Sequence, residues 1–531
     1  MKRKKKNLKL RKFNNHPILT FIILTFVTII LSGILSALQL QATYSSIDLN
    51  TLELKNNVVT IESLFNYSGM KYLISNAARN FAGFAPLSNL IISLIGLSVA
   101  YSTGFIDAFI KRVTLNIDNK KLTFFIILVA TISSLINDIG YVILIPLSAL
   151  IFSANNRNPL LGIITSFCGV AFGYGATVFV GSNDINLLSD TTAAARLIDP
   201  LYHVELSGNL IIMIAATIIV SIVGTIIIEK LIAPKFGRVS QQEVDENTKE
   251  IDIGEIKETE QKKLELESKQ NKGLKHALIV SIIFVIAVVY MLIPGLPFSG
   301  MLLDMKEATY AKQVFGDNSY FQDGFTYMVS FYFIVVGLAY GIHAKTITNG
   351  KELFDKCSSY LSETGILFAT LFFAAQFIAV FKKTNIATFM VASLMGIITK
   401  SGFSGIPLIL VTMVVIGICN LFATTPTAKW SILSPTLVPL MMQSNISPQF
   451  SQFILRAADS MTKGITPLLA YFAIYICYMN IYNKGKTVIT IKKGISYILP
   501  YCLIITLTWI LIIVGWYILG APIGIGVRPA L

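Results

Sequence analysis

The chain of 531 residues is 54% hydrophobic and only 14% charged, with a mean hydropathy of +0.68; a soluble domain carries about 25% charged residues. Its apolar residues gather in runs of about 18 or more, long enough to cross a bilayer as helices, which excludes a soluble globular enzyme and predicts an all-α polytopic membrane protein. The net charge of +14 does not point to nucleic acid, because residues 1–12, MKRKKKNLKLRK, stand just before the apolar run 17–40 as a positive-inside anchor.

Residues 1–16 read as a basic cytoplasmic N-terminus and 17–40 as a retained first transmembrane helix, since a cleaved signal peptide has a shorter apolar core. Further spans are predicted at 122–152, 160–182, 209–232, 276–294, 325–342, 405–440, 448–478 and 494–519. Segments 63–110 and 352–403 read as re-entrant helical hairpins, with irregular middles at 80–86 (NFAGFAP) and 376–383 (QFIAVFKK). They end alike, on Thr103-Gly104-Phe105 and Ser401-Gly402-Phe403. Residues 233–275 mix Lys, Glu and Asp with little apolar content and read as a charged cytoplasmic linker. The organisation is thus a first repeat over 63–232, two helices within 276–342, a second, inverted repeat over 352–519, and a tail at 520–531. The five cysteines show no metal or redox spacing and read as small hydrophobes.

The repeat rests on a fixed register. Ile143-Leu144-Ile145-Pro146 recurs as Ile432-Leu433-Ser434-Pro435, and at the same offset Pro159 matches Pro448, Gly175 matches Gly464, Thr177 matches Thr466 and Tyr141 matches Trp430. A duplicated segment with broken apolar spans is the usual sign of a secondary transporter, with substrate held between the repeats.

With both hairpins re-entrant, nine crossings remain and 233–275 lies inside. The first hairpin then dips from outside and the second from the cytoplasm. One loop disobeys the charge rule: Lys111, Arg112, Lys120 and Lys121 would lie outside, whereas a full crossing by 63–110 would move that loop inside but put 233–275 outside unless another segment became re-entrant. Spans 122–152 and 405–440 are too long for a straight crossing. They are interrupted at Asn137-Asp138-Ile139-Gly140 and Thr424-Thr425-Pro426-Thr427, and unwound backbone at membrane depth belongs in a protein-lined or wet cavity.

Charges at that depth are costly and point to function. Arg456, Asp459 and Lys463 stand at i, i+3 and i+7, on one helix face, about 16 Å along the axis from Pro448 at Asp459. Either Arg456 and Asp459 neutralise each other so that the helix inserts, or the set, with one net positive charge, meets a carboxylate or another anion. Asp184, in Gly181-Ser182-Asn183-Asp184 after the flexible Gly173-Tyr174-Gly175, either binds Na⁺ or a proton or caps the next helix. Asp138 in the first break divides the same way. Trp430 either stacks on an aromatic substrate or packs in the core. Thr427 and Asn420 supply hydrogen bonds to a ligand or between helices. Pro448 also suits a simple helix start. No P-loop, HExxH, GxSxG or Cys/His cluster is present, so no cofactor is expected and an ion gradient, Na⁺ or H⁺, would drive transport.

The stretch Asp138 to Leu147, the later Gly181-Ser182-Asn183-Asp184, the run Ala428-Lys429-Trp430-Ser431-Ile432-Leu433-Ser434-Pro435, and Arg456-Ala457-Ala458-Asp459-Ser460 with Ile465-Thr466-Pro467-Leu468 resemble the AbgT family. These are p-aminobenzoyl-glutamate transporters, some of them exporters of sulfonamide antimetabolites. The resemblance covers the chain apart from the basic N-terminus and the 233–275 linker. It implies a homodimer in the plasma membrane, with nine spans and two opposed hairpins per subunit. It also implies transport roles for Asp184, Thr427, Trp430, Pro448, Arg456 and Asp459. Lys463 departs from the pattern, standing where an uncharged polar residue is expected.

The expected function is therefore gradient-driven transport of p-aminobenzoyl-glutamate or related folate-pathway aromatics by alternating access. Arg456 and Lys429 would meet carboxylates, Trp430 the ring, and Asp184, Asp459 and Asp138 the coupling ion, with Na⁺ near Asp184. The alternatives are a transporter of other carboxylates, an intramembrane aspartyl protease, and a passive channel. Gly-Ser-Asn-Asp in place of Gly-x-Gly-Asp, and an inverted duplication that a protease does not need, argue against the protease.

Overall fold

The computed structural model describes residues 16–49, 51–114, 117–136, 138–237, 253–316, 318–362, 364–483 and 487–531, with the side chains of 253–265 outside the description. The basic segment 1–15, Asn137 and linker residues 238–252 lie outside the described residues.

Helix α1 (Pro17–Ala37) starts with proline at its first position and His16 as cap, a residue pair that costs no helical hydrogen bond there. It leads to an antiparallel hairpin, β1 (Gln41–Ile47) and β2 (Leu54–Thr60), paired from Gln41↔Thr60 to Ile47↔Leu54. Then come α2 (Tyr67–Ala82), α3 (Ala85–Ser102), α4 (Phe105–Thr114), α5 (Asn119–Ile132), α6 (Ile139–Ala154), α7 (Pro159–Phe172), α8 (Ser182–Ala195) and α9 (Leu210–Ile227). The expected linker at 233–275 is shorter than its composition suggests, because helical turns continue from α9 to Lys235 and residues 253–275 already belong to α10 (Ile253–Met291), which is followed by α11 (Tyr310–Phe315) and α12 (Tyr320–Ala344). The second half is α13 (Gly350–Ser362), α14 (Gly365–Lys383), α15 (Ile386–Lys400), α16 (Gly405–Asn420), α17 (Pro426–Gln443), α18 (Pro448–Thr462), α19 (Phe472–Ile481) and α20 (Ile491–Leu519).

The long interrupted segments turn out to be the hairpins. Arg157, in the turn between α6 and α7, donates to the Asn119 carbonyl at the start of α5 (3.1 Å). Thr131 at the end of α5 donates to the Gly169 carbonyl near the end of α7 (3.4 Å). So α5 and α7 run parallel, α6 runs against both, and α5–α6 enters and returns on one side. The second half does the same: Thr462 at the end of α18 donates to Gly417 near the end of α16 (2.7 Å), so α16–α17 is a hairpin against α18. Each hairpin is followed by a broken crossing, α7–α8 interrupted at 173–181 and α18–α19 at 463–471.

Segments 63–110 and 352–403 are accordingly not hairpins. The start of 63–110 lies at the far end of α14, where the Glu62 amide donates to the Thr384 carbonyl (3.0 Å) and Lys383 pairs with Glu62 (2.9 Å). Its other end lies at the near end of α14, where Tyr101 packs on Tyr360 with centroids 5.0 Å apart. Helices α2–α3 therefore make one crossing, bent at Gly83-Phe84, and α14 is one unbroken crossing beside it. The run 376–383 looked irregular because its lysines interrupt the apolar pattern, yet it ends a regular helix. Gly104 (φ 78°) and Gly402 (φ 65°) both follow a helix end, where only glycine is at ease, but one precedes α4 and the other α16. Their tripeptides share a capping geometry and not a repeat position.

Of the eight helices among the described residues that are long and apolar enough to cross a membrane, Asn119–Ile136 is a hairpin limb and the other seven cross. With the two broken pairs, the described residues make nine crossings and two hairpins. The hairpins are opposed. The base of α5–α6 lies by Arg157, Glu229 and Phe236, at the linker end of α9. The base of α16–α17 lies at the other end, where the Ser447 amide donates to the Pro529 carbonyl and the Ile211 amide to Ile523 (2.8 and 2.9 Å). The first hairpin thus enters from the linker side and the second from the far side, the reverse of the expected order. The loop carrying Lys111 and Arg112 moves to the linker side, where Arg112 and Lys275 line one cavity, and the charge rule is obeyed without exception at that loop.

Matched residues fall on matched elements. Pro146 and Pro435 lie inside α6 and α17, and Pro159 and Pro448 open α7 and α18. The connecting turns carry left-handed Asn156 (φ 54°) and Asn445 (φ 58°).

Candidate functional site

The two broken crossings lie against each other. A Cβ on Gly175 would stand 2.9 Å from the Arg456 carbonyl oxygen, and one on Gly464 would stand 2.7 Å from the Phe172 ring. Each glycine, sitting in one repeat's break, is the point where the other repeat's helix approaches. The Gly175 amide donates to Ser460 Oγ (2.7 Å), and Tyr141 of α6 stacks on Tyr471 in the second break, 5.0 Å between centroids.

Three cation–carboxylate pairs occupy this junction. Arg456 Nη1 donates to Asp184 Oδ1, with the guanidinium fully buried. Lys429 Nζ donates to Asp459 Oδ1 (2.5 Å), both side chains 0% exposed. Lys463 Nζ lies 3.5 Å from Asp138 Oδ1 and 3.4 Å over the Tyr174 ring. Unpaired charges at such depth are expensive and paired ones tolerable, so the pairing explains how six ionisable side chains coexist here. The expected net positive charge is corrected: Asp138, Asp184 and Lys429 complete a balanced set of three cations and three carboxylates. Arg456 and Asp459 do not neutralise each other either, since each takes a partner on another element.

The surrounding polar groups fix these pairs. Asp184 is the third residue of α8 and its Oδ2 accepts from the Gly181 amide (3.0 Å), so it caps its helix and holds Arg456 at once. Arg456 also donates to Met213 Sδ (3.0 Å). Lys429 donates to Asn420 Oδ1 (2.9 Å), and Asn420 Nδ2 donates to the Asp459 carbonyl (3.0 Å). Trp430 Nε1 donates to Thr191 Oγ1 (2.9 Å), which donates to Gln452 Oε1 (3.0 Å). Tyr174 donates to Asn183 Oδ1 (2.7 Å). Arg456 Nε and Nη2 and Asp459 Oδ2 make no hydrogen bond within the described protein.

A cavity of about 330 Å³ adjoins this network at the tip of the second hairpin, with Lys429 in its wall and the paired ammonium behind it out of solvent. Thr424, Thr425, Ala428 and Lys429 line it from the start of α17, with Phe422 beside them and Phe381 and Lys382 opposite on α14. The helix start adds unsatisfied amides and a positive dipole end, so this wall suits an anion.

The site thus joins Asp138, Asp184, Lys429, Arg456, Asp459 and Lys463. Thr427 sits in the first turn of α17 and half-buried beside it. Trp430 is fully buried against α8, so its ring packs in the core of this conformation. Pro448 opens α18 at the far-side turn, three turns from Asp459, and does not join the site. Thr191 and Gln452 join the site without a motif to mark them; their spacing, seven residues after Asp184 and four before Arg456, places each on the same helix face as its charged neighbour.

An all-α membrane fold of inverted repeats, with opposed hairpins and broken helices meeting at buried charges, defines a secondary-transporter architecture. The chain matches the AbgT putative transporter family over residues 11–531, and it belongs to that family, whose members are transporters and not enzymes. It is 29% identical to the p-aminobenzoyl-glutamate transport protein of Escherichia coli (strain K12) over 518 residues, 97% of this chain and 94% of the relative. Among solved structures it is similar to the YdaH transporter of Alcanivorax borkumensis, at 27% identity and TM-score 0.47, covering 96% of this chain and 100% of that one. It is also similar to MtrF of Neisseria gonorrhoeae, described with a class of antimetabolite efflux pumps, at 28% identity and TM-score 0.46, covering 96% and 97%.

Proposed function

We propose that this protein is a gradient-driven transporter of p-aminobenzoyl-glutamate or related aromatic carboxylates, working by alternating access in the plasma membrane with its N-terminus cytoplasmic, as a homodimer. The observation that carries the reading is Lys429, which lines the hairpin-tip cavity while paired to buried Asp459. A substrate carboxylate entering at the start of α17 competes with Asp459 for the same ammonium. Asp459, released from Lys429, then takes a proton or Na⁺, because a lone buried carboxylate is far costlier than a neutralised one. That exchange links substrate binding to ion binding. Phe381 and Phe422 offer apolar surface to the aromatic ring, and Lys382 a second cation for a second carboxylate. Asp184–Arg456 and Asp138–Lys463 bridge the two repeats and hold the breaks in register.

The test is uptake and efflux of labelled p-aminobenzoyl-glutamate in proteoliposomes under imposed Na⁺ or H⁺ gradients. The reading expects flux that follows one of the two gradients. Flux of other carboxylates alone would move the substrate assignment, and flux indifferent to both gradients would indicate a passive channel.

A further inference from the structure

A second cavity, of about 440 Å³, lies away from the transport site, between α4 and the linker end of α10. Phe109 and Val113 of α4, Leu278 of α10 and Tyr332 of α12 give it apolar walls, and Arg112 and Lys275 stand at its lining. Tyr332 is held by Ser281 across a 2.9 Å hydrogen bond. Neither Arg112 nor Lys275 forms a salt bridge among the described residues. The nearest acid on α4, Asp107, stands at i, i+4 to Lys111, which places the two side by side.

We propose that this groove binds an anionic phospholipid of the linker-side leaflet, its acyl chain against the apolar walls and its phosphate between Arg112 and Lys275. Helix α4 is amphipathic and lies at the level of the linker, where a headgroup sits. Val113 and Leu278 are 50% and 61% exposed, so the chain has open access from the bilayer. A second copy of this protein fits the groove poorly, because a two-fold interface centred here would gather the Arg112 and Lys275 of both copies into one patch of like charge. A free anion leaves the apolar walls uncovered. The bound lipid braces α4, the segment through which the α2–α3 crossing leads into the first hairpin.

Native mass spectrometry of the purified protein, with added phosphatidylglycerol or phosphatidylcholine of matched chains, tests this. Two cations at a headgroup predict a preference of about 30-fold for phosphatidylglycerol. Arg112→Ala with Lys275→Ala removes the preference. Val113→Trp, which fills the groove and keeps both charges, weakens retention of both lipids. Millimolar inorganic phosphate does not displace the lipid. Equal retention of the two lipids by the wild type, an unchanged preference in Arg112→Ala with Lys275→Ala, undiminished retention in Val113→Trp, displacement by phosphate alone, or variants that dissociate a dimer while lipid retention stays the same would each overturn the proposal.

Discussion

Arg456 of the second repeat donates to Asp184 of the first, with the guanidinium entirely out of solvent. Asp184 simultaneously accepts the Gly181 amide at the start of α8. One carboxylate therefore anchors a helix start in one repeat and neutralises a cation in the other. The break between α7 and α8 is thereby tied to α18, so the two halves cannot rearrange without moving a buried charge pair.

Truncating one member strands the other. Arg456→Ala leaves Asp184 buried and uncompensated, and is expected to cost about 3–5 kcal/mol of stability. The pair replacement Asp184→Leu with Arg456→Met is expected to recover much of that loss and none of the transport. Thermal unfolding in detergent, alongside flux, checks both halves; a double variant as unstable as the single one contradicts the pairing.

Lys429 and Asp459 act differently, because Lys429 also lines the cavity. Asp459→Asn frees the ammonium and removes the titratable partner. Substrate binding should persist while gradient-driven accumulation is lost. Equilibrium binding and concentrative uptake, measured on the same preparation, separate the two; loss of binding in Asp459→Asn would count against the exchange.

The break glycines are steric contacts. Gly175→Ala places a methyl 2.9 Å from the Arg456 carbonyl oxygen and Gly464→Ala places one 2.7 Å from the Phe172 ring. Overpacking of this kind costs about 1–3 kcal/mol. The backbone neighbour at Gly175 cannot swing aside as a ring can, so Gly175→Ala should lower the melting temperature more than Gly464→Ala.

Topology has a direct readout. Asn156 and Asn445 occupy equivalent turns at the bases of the two hairpins, on opposite sides. All five native cysteines are buried, so their background labelling is low. Asn156→Cys should react with an impermeant thiol reagent from the same side as Lys492→Cys, and Asn445→Cys from the other. Labelling of Asn156→Cys and Asn445→Cys from one side would refute the inverted arrangement.

The repeat was legible because prolines and glycines are scarce and positional: Pro146/Pro435, Pro159/Pro448 and Gly175/Gly464 mark matched helix interiors, starts and breaks. The hairpins were misplaced for a physical reason. A break within a long apolar run looks alike whether the chain continues across or turns back, and only tertiary contacts such as Arg157 to Asn119 distinguish the two. Lys111 and Arg112 held the clue, since a charge on the wrong side signalled a wrong crossing. The charges at the site were found, but their partners were not: the i, i+3 spacing of Arg456 and Asp459 suggested a mutual pair, whereas each turns to another element. The β1–β2 hairpin escaped because its strands are polar and lack a clean alternation.

Transport on this mechanism turns on a substrate carboxylate displacing Asp459 from Lys429. The sharpest test is counterflow of labelled p-aminobenzoyl-glutamate into proteoliposomes preloaded with unlabelled substrate, which needs binding and translocation but no ion gradient, in wild type and Lys429→Met. Robust counterflow is expected in the wild type and a loss of about 100-fold or more in Lys429→Met, the scale of removing a buried charge contact worth about 3 kcal/mol. Unchanged counterflow in folded Lys429→Met would contradict it.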